Sequence, residues 1–195
     1  MQLRRTGAAG FNGLSGASGL AEWICGLLFA LAPVLCLAGS ALQVAGALPS
    51  IRWLDGVIAA GLGAILALLG IGLTVLAQFA MGDAWRIGVD PHERTELVAH
   101  GPFSLVRNPI YAAMIPSFAG IALLAPNVLA LAGALVLLVA LELQTRLIEE
   151  PYLLNVHGQD YAAYAARVGR FLPGIGRLRR NRLPGSRWVL RYRRR

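Results

Sequence analysis

Carboxylates, arginines and tyrosines able to do chemistry gather in two stretches of an otherwise apolar chain, residues 81–114 and 142–173. In the first, Arg107-Asn108-Pro109-Ile110-Tyr111 has the makings of a helix start. Asn108 is a good N-cap, Pro109 fits the first helical position, and Arg107 anchors at lipid headgroups. The same helix start offers unpaired N–H groups and partial positive charge to a carboxylate or another acceptor, and the two readings are compatible. In the second stretch, Glu142, Arg146 and Glu149 are four and three residues apart and share one helical face. One reading is a structural Glu142–Arg146 pair, because an ionisable group at the hydrocarbon edge is costly and usually pairs. The other has Glu149 facing a cytoplasmic pocket and accepting hydrogen bonds from a ligand. Beyond it, residues 152–171 predict a polar helix with Tyr161, Tyr164 and Val168 on one stripe. That helix either lies at the interface or covers the pocket, its rings turned toward a cation. His92, His100 and His157 show no metal-ligand spacing, so no metal site is expected.

These groups need a scaffold, and composition says which kind. Of the 195 residues 56% are apolar and 14% charged, against roughly 25% charged in soluble domains. Such a chain cannot clothe a soluble sphere in charge, so an all-α integral membrane protein is expected. Residues 23–51, 56–82 and 108–141 carry no charged side chain. The third stretch exceeds one span of about 20 residues and is divided by Pro126-Asn127, predicting a hairpin with arms near 110–125 and 128–148. Four transmembrane helices follow. The first arm is short, and Pro116 is a candidate kink. Cys25 and Cys36, eleven residues apart in one run, lie about 16 Å apart on a helix and read as core thiols.

Charge sets the orientation. All 18 basic residues are arginine, and seventeen fall on the side that holds both termini, against Arg52 alone on the other. The positive-inside rule makes both termini cytoplasmic, in a prokaryotic inner membrane. The first apolar run exceeds a signal-peptide core, so it reads as a retained span. Residues 165–195 hold eleven arginines and no acid, while residues 1–164 carry a net charge of −3. The basic tail is expected to bind anionic lipid headgroups at about 1 kcal/mol per basic residue, rather than nucleic acid.

On these residues the chain resembles the isoprenylcysteine carboxyl methyltransferase family of integral membrane enzymes, in a prokaryotic form. The carriers are Leu97-Val98-Ala99-His100-Gly101-Pro102-Phe103, then Arg107-Asn108-Pro109-Ile110-Tyr111. After two membrane arms come Glu149-Glu150-Pro151-Tyr152-Leu153, His157-Gly158, Tyr161, Tyr164 and Pro173. The resemblance covers roughly the C-terminal half. It implies S-adenosylmethionine bound at the cytoplasmic face, touching Thr95, Glu96, Leu97, Val98, Phe103, Asn108, Pro109, Ile110, Tyr111 and Glu149. It also implies a methyltransferase core over residues 83–173, preceded by a cytoplasmic segment (1–22) and two helices (23–82) and followed by the tail (174–195). The chain departs from the family at Asn108, where a histidine is usual, and at Phe103, where a tyrosine is usual. An arginine that eukaryotic members direct at a substrate carboxylate falls on Thr145, one position before Arg146.

The expected reaction is methyl transfer to a membrane lipid or lipophilic small molecule entering from the bilayer, most simply an O-methylation. Arg146 is the candidate substrate contact, and Arg107 supplies pocket electrostatics. A dry pocket favours loss of the sulfonium charge, and positioning supplies most of the rate. Three alternatives remain. A phospholipid N-methyltransferase shares the hairpin. A sterol-reductase-like enzyme would bind NADPH, with Arg177, Arg179, Arg180 and Arg182 near a 2′-phosphate. A non-catalytic membrane subunit would use the tail alone.

Overall fold

The computed structural model describes residues 19–81 and 97–178. Thr95, Glu96 and most of the basic tail therefore lie outside the described residues. Within them the chain is helical, with no strand and two isolated β-bridges. The elements are α1 (Leu20–Val44), α2 (Val57–Met81), α3 (Pro109–Leu124), α4 (Val128–Gln144) and α5 (Glu150–Arg167). A 3₁₀ turn, Gly101–Ser104, precedes α3, and a π turn, Thr145–Glu149, joins α4 to α5. The all-α membrane architecture expected from composition is borne out. Three helical segments are long and apolar enough to cross a bilayer, and α3 is the shorter fourth.

Helix ends follow local chemistry. Gly46, at φ +75°, closes α1 in the left-handed conformation that glycine tolerates, and the Ala47 and Leu48 amides return to the Leu42 carbonyl. Asn127 is fully buried and caps α4, its side-chain oxygen accepting from the Ala130 amide at 2.9 Å. Its amide group donates to Gln43 Oε1 and the Ala125 carbonyl, each at 2.9 Å. The Ile51 amide donates to the Pro126 carbonyl at 2.7 Å, which ties the α1–α2 connection to the hairpin tip.

The predicted break after the second arm is absent. From Val128 to Arg167 the helix runs on, changing register only in the π turn. Pro151 explains why a π turn occurs there. It cannot donate to the Leu147 carbonyl and its ring crowds that carbonyl in a straight α-helix, so one widened turn relieves the conflict. The real break falls later, at Gly158, with φ +54° and ψ −120°.

Within the membrane the helices pack through small residues. α1 lies along α4, α2 lies along α3, and the hairpin joins the two pairs. Ala32, Cys36 and Gly39 of α1 meet Ala130 and Gly133 of α4, and the Cys36 thiol donates to the Ala130 carbonyl at 3.2 Å. Gly63, Ala67 and Gly70 of α2 meet Ala113, Ser117 and Gly120 of α3. Lipid is as apolar as leucine, so burying large side chains gains little there. Close backbone approach and dispersion supply the association instead. Most large side chains of α1 and α2, such as Leu27, Val34, Leu62 and Leu69, accordingly face outward.

A Cβ added at Gly120 would lie 2.4 Å from the Ala67 amide nitrogen, whereas one added at Gly72 meets nothing within 4 Å. Gly120→Ala is expected to destabilise the protein by about 1–3 kcal/mol. Gly72→Ala should leave the unfolding midpoint unchanged or higher. Thermal unfolding of both variants in one detergent, followed by far-UV circular dichroism, checks the contrast.

Candidate active site

The start of α3 is fixed by a short chain segment that follows α5. Val106 bridges Gly169 in parallel, the Arg107 amide donates to the Gly169 carbonyl at 2.8 Å, and the Asn108 amide donates to the Arg170 carbonyl at 3.1 Å. The segment then doubles back, the Arg170 amide bonding the Ile175 carbonyl at 2.8 Å. Only glycine fits at 169, since a Cβ there would stand 2.0 Å from the Leu172 carbonyl oxygen.

Charge locks this clasp. The Glu150 carboxylate, buried at the head of α5, accepts from Arg107 Nη2 at 2.7 Å. Arg170 grips the same carboxylate with two nitrogens, Nε at 2.8 Å and Nη2 at 3.0 Å. Arg107 Nη1 reaches the Ala165 carbonyl at 3.1 Å, and Nη2 also reaches the Gly176 carbonyl at 2.9 Å. Arg170 Nη1 also meets Glu142 at 3.2 Å. Burial works against the Arg170 charge, yet its hydrogen bonds and attraction to Glu150, with help from Glu142, hold its pKa above the usual arginine value.

Beside this network stands a second contact of different character. Tyr111, in the first turn of α3, donates its hydroxyl to Glu149 Oε1 at 2.5 Å. Phe171 of the clasp meets the Tyr111 ring edge to face, centroids 6.4 Å apart. No arginine pairs with Glu149 among the described residues, unlike its neighbour Glu150. Successive helical residues point about 100° apart. That turn sends one carboxylate into the clasp and leaves the other facing Tyr111.

The structure sorts the site residues read from the sequence. Asn108, Pro109, Ile110, Tyr111 and Glu149 come together at the foot of the hairpin. Asn108 holds the N-cap position, but its side chain makes no capping bond and instead reaches the Arg170 carbonyl at 3.4 Å. Leu97 packs on the Tyr161–Tyr164 cluster, and the buried Phe103 offers its carbonyl to the Tyr164 hydroxyl at 2.6 Å. Val98 is half-buried beside Leu97. Both tyrosines are buried in that cluster, which leaves no open π-face for a cation. Arg107, read as pocket electrostatics, has its side chain 1% exposed, with Nη1 and Nη2 committed to Glu150 and carbonyl groups. Arg146 is exposed and pairs with Glu142 at 2.5 Å. Sequence reasoning missed Glu150, Arg170 and Phe171 as parts of the site. Glu150 had a signal, adjacency to Glu149 in the motif, whereas the other two act across 20 or more residues of sequence.

The phospholipid methyltransferase family model matches residues 58–160, just over half of the chain. The chain belongs to this family. The family lies within the isoprenylcysteine carboxyl methyltransferase-like superfamily, in agreement with the motif resemblance. A nickel-cobalt-cadmium resistance protein, NccN of Alcaligenes xylosoxydans xylosoxydans, is 28% identical over 114 residues. The match takes in 58% of this chain and 53% of that protein, so it spans about half the length of the relative. No solved structure matches the chain significantly.

The family is one of methyltransferases, and membership implies S-adenosylmethionine as methyl donor. The residues present fit that molecule. A carboxylate without a cation suits its ammonium group, the side-chain-free N-terminus of α3 suits its carboxylate, and Tyr111 and Phe171 offer aromatic surface. The ion pairs around this site differ in burial, and that gives a test. Glu150→Gln leaves two buried guanidinium groups short of a counter-charge and should cost about 3–5 kcal/mol. Arg146→Ala removes an exposed pair worth about 0–1 kcal/mol. Unfolding midpoints of the two variants beside the wild type check both values.

Proposed function

We propose that the protein transfers a methyl group from S-adenosylmethionine to a lipophilic acceptor at the cytoplasmic face of the membrane. The observation that carries this reading is the Tyr111–Glu149 contact at the foot of the hairpin, walled by Phe171. The donor lies against Asn108, Pro109, Ile110 and Tyr111 at the α3 start and against Glu149, with Leu97, Val98 and Phe103 flanking. Thr95 and Glu96, outside the described residues, complete the proposed set. Bound there, S-adenosylmethionine supplies an electrophilic methyl group on a positively charged sulfur.

The chain's own residues then have three tasks. Glu149, its orientation fixed by the Tyr111 hydroxyl, holds positive charge. Tyr111 and Phe171 keep water from one side of the site. Arg107 acts through others, as a positioning residue that holds the α3 start against the clasp. With both termini cytoplasmic, the site opens on the side that supplies the donor, and the basic tail adds anionic-lipid binding. Over the core at 83–173, acceptors arrive from the bilayer through the lipid-exposed side of the hairpin.

Two acceptor classes have support. Arg146, exposed at the end of α4, favours an acceptor carboxylate and hence O-methylation. The family match favours a phospholipid amine and N-methylation. Of the arginine cluster read for NADPH, Arg177 is exposed, and Arg179, Arg180 and Arg182 lie outside the described residues.

Calorimetry on protein in nanodiscs tests the reading. Wild type should bind S-adenosylmethionine, Glu149→Ala should lose about tenfold or more in affinity, and NADPH should not bind. NADPH binding in place of the donor would move the protein to the reductases. Alkali treatment of products labelled from methyl-tritiated donor separates the acceptor classes: esters release volatile methanol, whereas N-methyl groups stay in the lipid.

A further inference from the structure

Among the described residues three buried side-chain atoms lack a hydrogen-bond partner: Arg107 Nε, His157 Nε2 and Thr145 Oγ1. Arg107 has its other nitrogens paired. Thr145 has one polar side-chain atom, and that atom is the orphan. The residue is 1% exposed, so water does not serve it. A helical threonine ordinarily returns its hydroxyl to the carbonyl three or four residues back. Here the Thr145 amide takes both the Leu141 and Glu142 carbonyls, and the hydroxyl joins neither. Leaving a buried hydroxyl unpaired opposes folding.

Placement gives the orphan a meaning. Thr145 opens the π turn and lies four residues beyond Leu141, on the same helical face. Leu137 and Leu141 form a buried cluster against which Tyr111, Met114, Phe118 and Phe171 pack. The next residue on this face past Thr145 is Glu149, which holds the Tyr111 hydroxyl. Thr145 thus lies along the helix between an apolar floor and the Tyr111–Glu149 pair. A hydroxyl donates and accepts, whereas Glu149 only accepts. Side by side, the two match a group carrying both a carboxylate and an ammonium.

We propose that Thr145 Oγ1 is a binding contact for the amino-acid end of the methyl donor, completing its hydrogen bond when that end enters the site. The inference rests on the methyl-transfer reading above. Its test uses full-length protein in nanodiscs and three probes: S-adenosylmethionine, S-adenosylhomocysteine and 5′-methylthioadenosine, which lacks the amino-acid end. Thr145→Val keeps the volume and removes the hydroxyl, and Thr145→Ser keeps the hydroxyl. The valine variant is expected to bind the first two probes about tenfold or more weakly, bind methylthioadenosine as wild type does, and unfold no lower than wild type without ligand. The serine variant should restore affinity. Should the valine variant fail to fold, Thr145→Ala makes the same comparison. Unchanged affinity for S-adenosylmethionine would overturn the proposal, as would equal losses for all three probes. Failure of the wild type to bind S-adenosylmethionine would instead refute the underlying reading, so the two failures are distinguishable.

Discussion

The carboxylate of Glu150 is the point on which the clasp at the foot of the hairpin depends. It is buried, and two guanidinium groups from opposite flanks of the hairpin converge on it, Arg107 from before α3 and Arg170 from after α5. A buried charge costs several kcal/mol unless well paired and hydrogen-bonded. That demand fixes the register of residues 106–108 against 169–170, and with it the position at which α3 begins. Tyr111 inherits its place from that register, and Phe171 inherits its place from Arg170. The ion pairs are weak evidence for stability in themselves; their consequence is geometric.

The membrane half solves a different problem with different means. Its helices cannot gain much by hiding leucine from leucine-like lipid, so they meet at Gly63, Gly70, Gly120 and Gly133, where backbones touch. Charge is absent from those contacts. The two regimes meet at the end of α4, where Glu142 pairs with both Arg146 and Arg170. There the hydrophobic hairpin is bolted to the clasp. The candidate site forms at this seam, where a membrane-facing surface meets titratable groups.

Much of this was legible from residue order. Uncharged stretches marked the helices, Pro126-Asn127 marked the hairpin tip, and the Arg-Asn-Pro-Ile-Tyr and Glu-Glu motifs marked the site. What was not legible was which member of each pair did which task. Glu149 and Glu150 are chemically identical neighbours, and only the phase of the helix decides that one meets Tyr111 and the other meets two arginines. Residue order likewise puts both Arg107 and Arg146 at the site, one for pocket electrostatics and one for substrate contact. Burial divides them, and burial depends on Gly169 and Gly176, residues more than sixty positions from Arg107 with no periodic signal. Asn108 sits where an N-cap belongs, yet the clasp takes its side chain. A tertiary partner overrode the local preference.

The π turn brings these strands together. A proline at 151 forbids an unbroken α-helical ladder through Leu147, so the register has to shift just where α4 leaves the membrane. That shift sets the phase of everything after it. It presents Glu150 to the arginines and keeps Glu149 on the Tyr111 side. A straight helix would rotate the two carboxylates away from their present partners. The widened turn is therefore more than an accommodation of proline: it lets one helix serve at once as membrane span, wall of the site and anchor for the clasp.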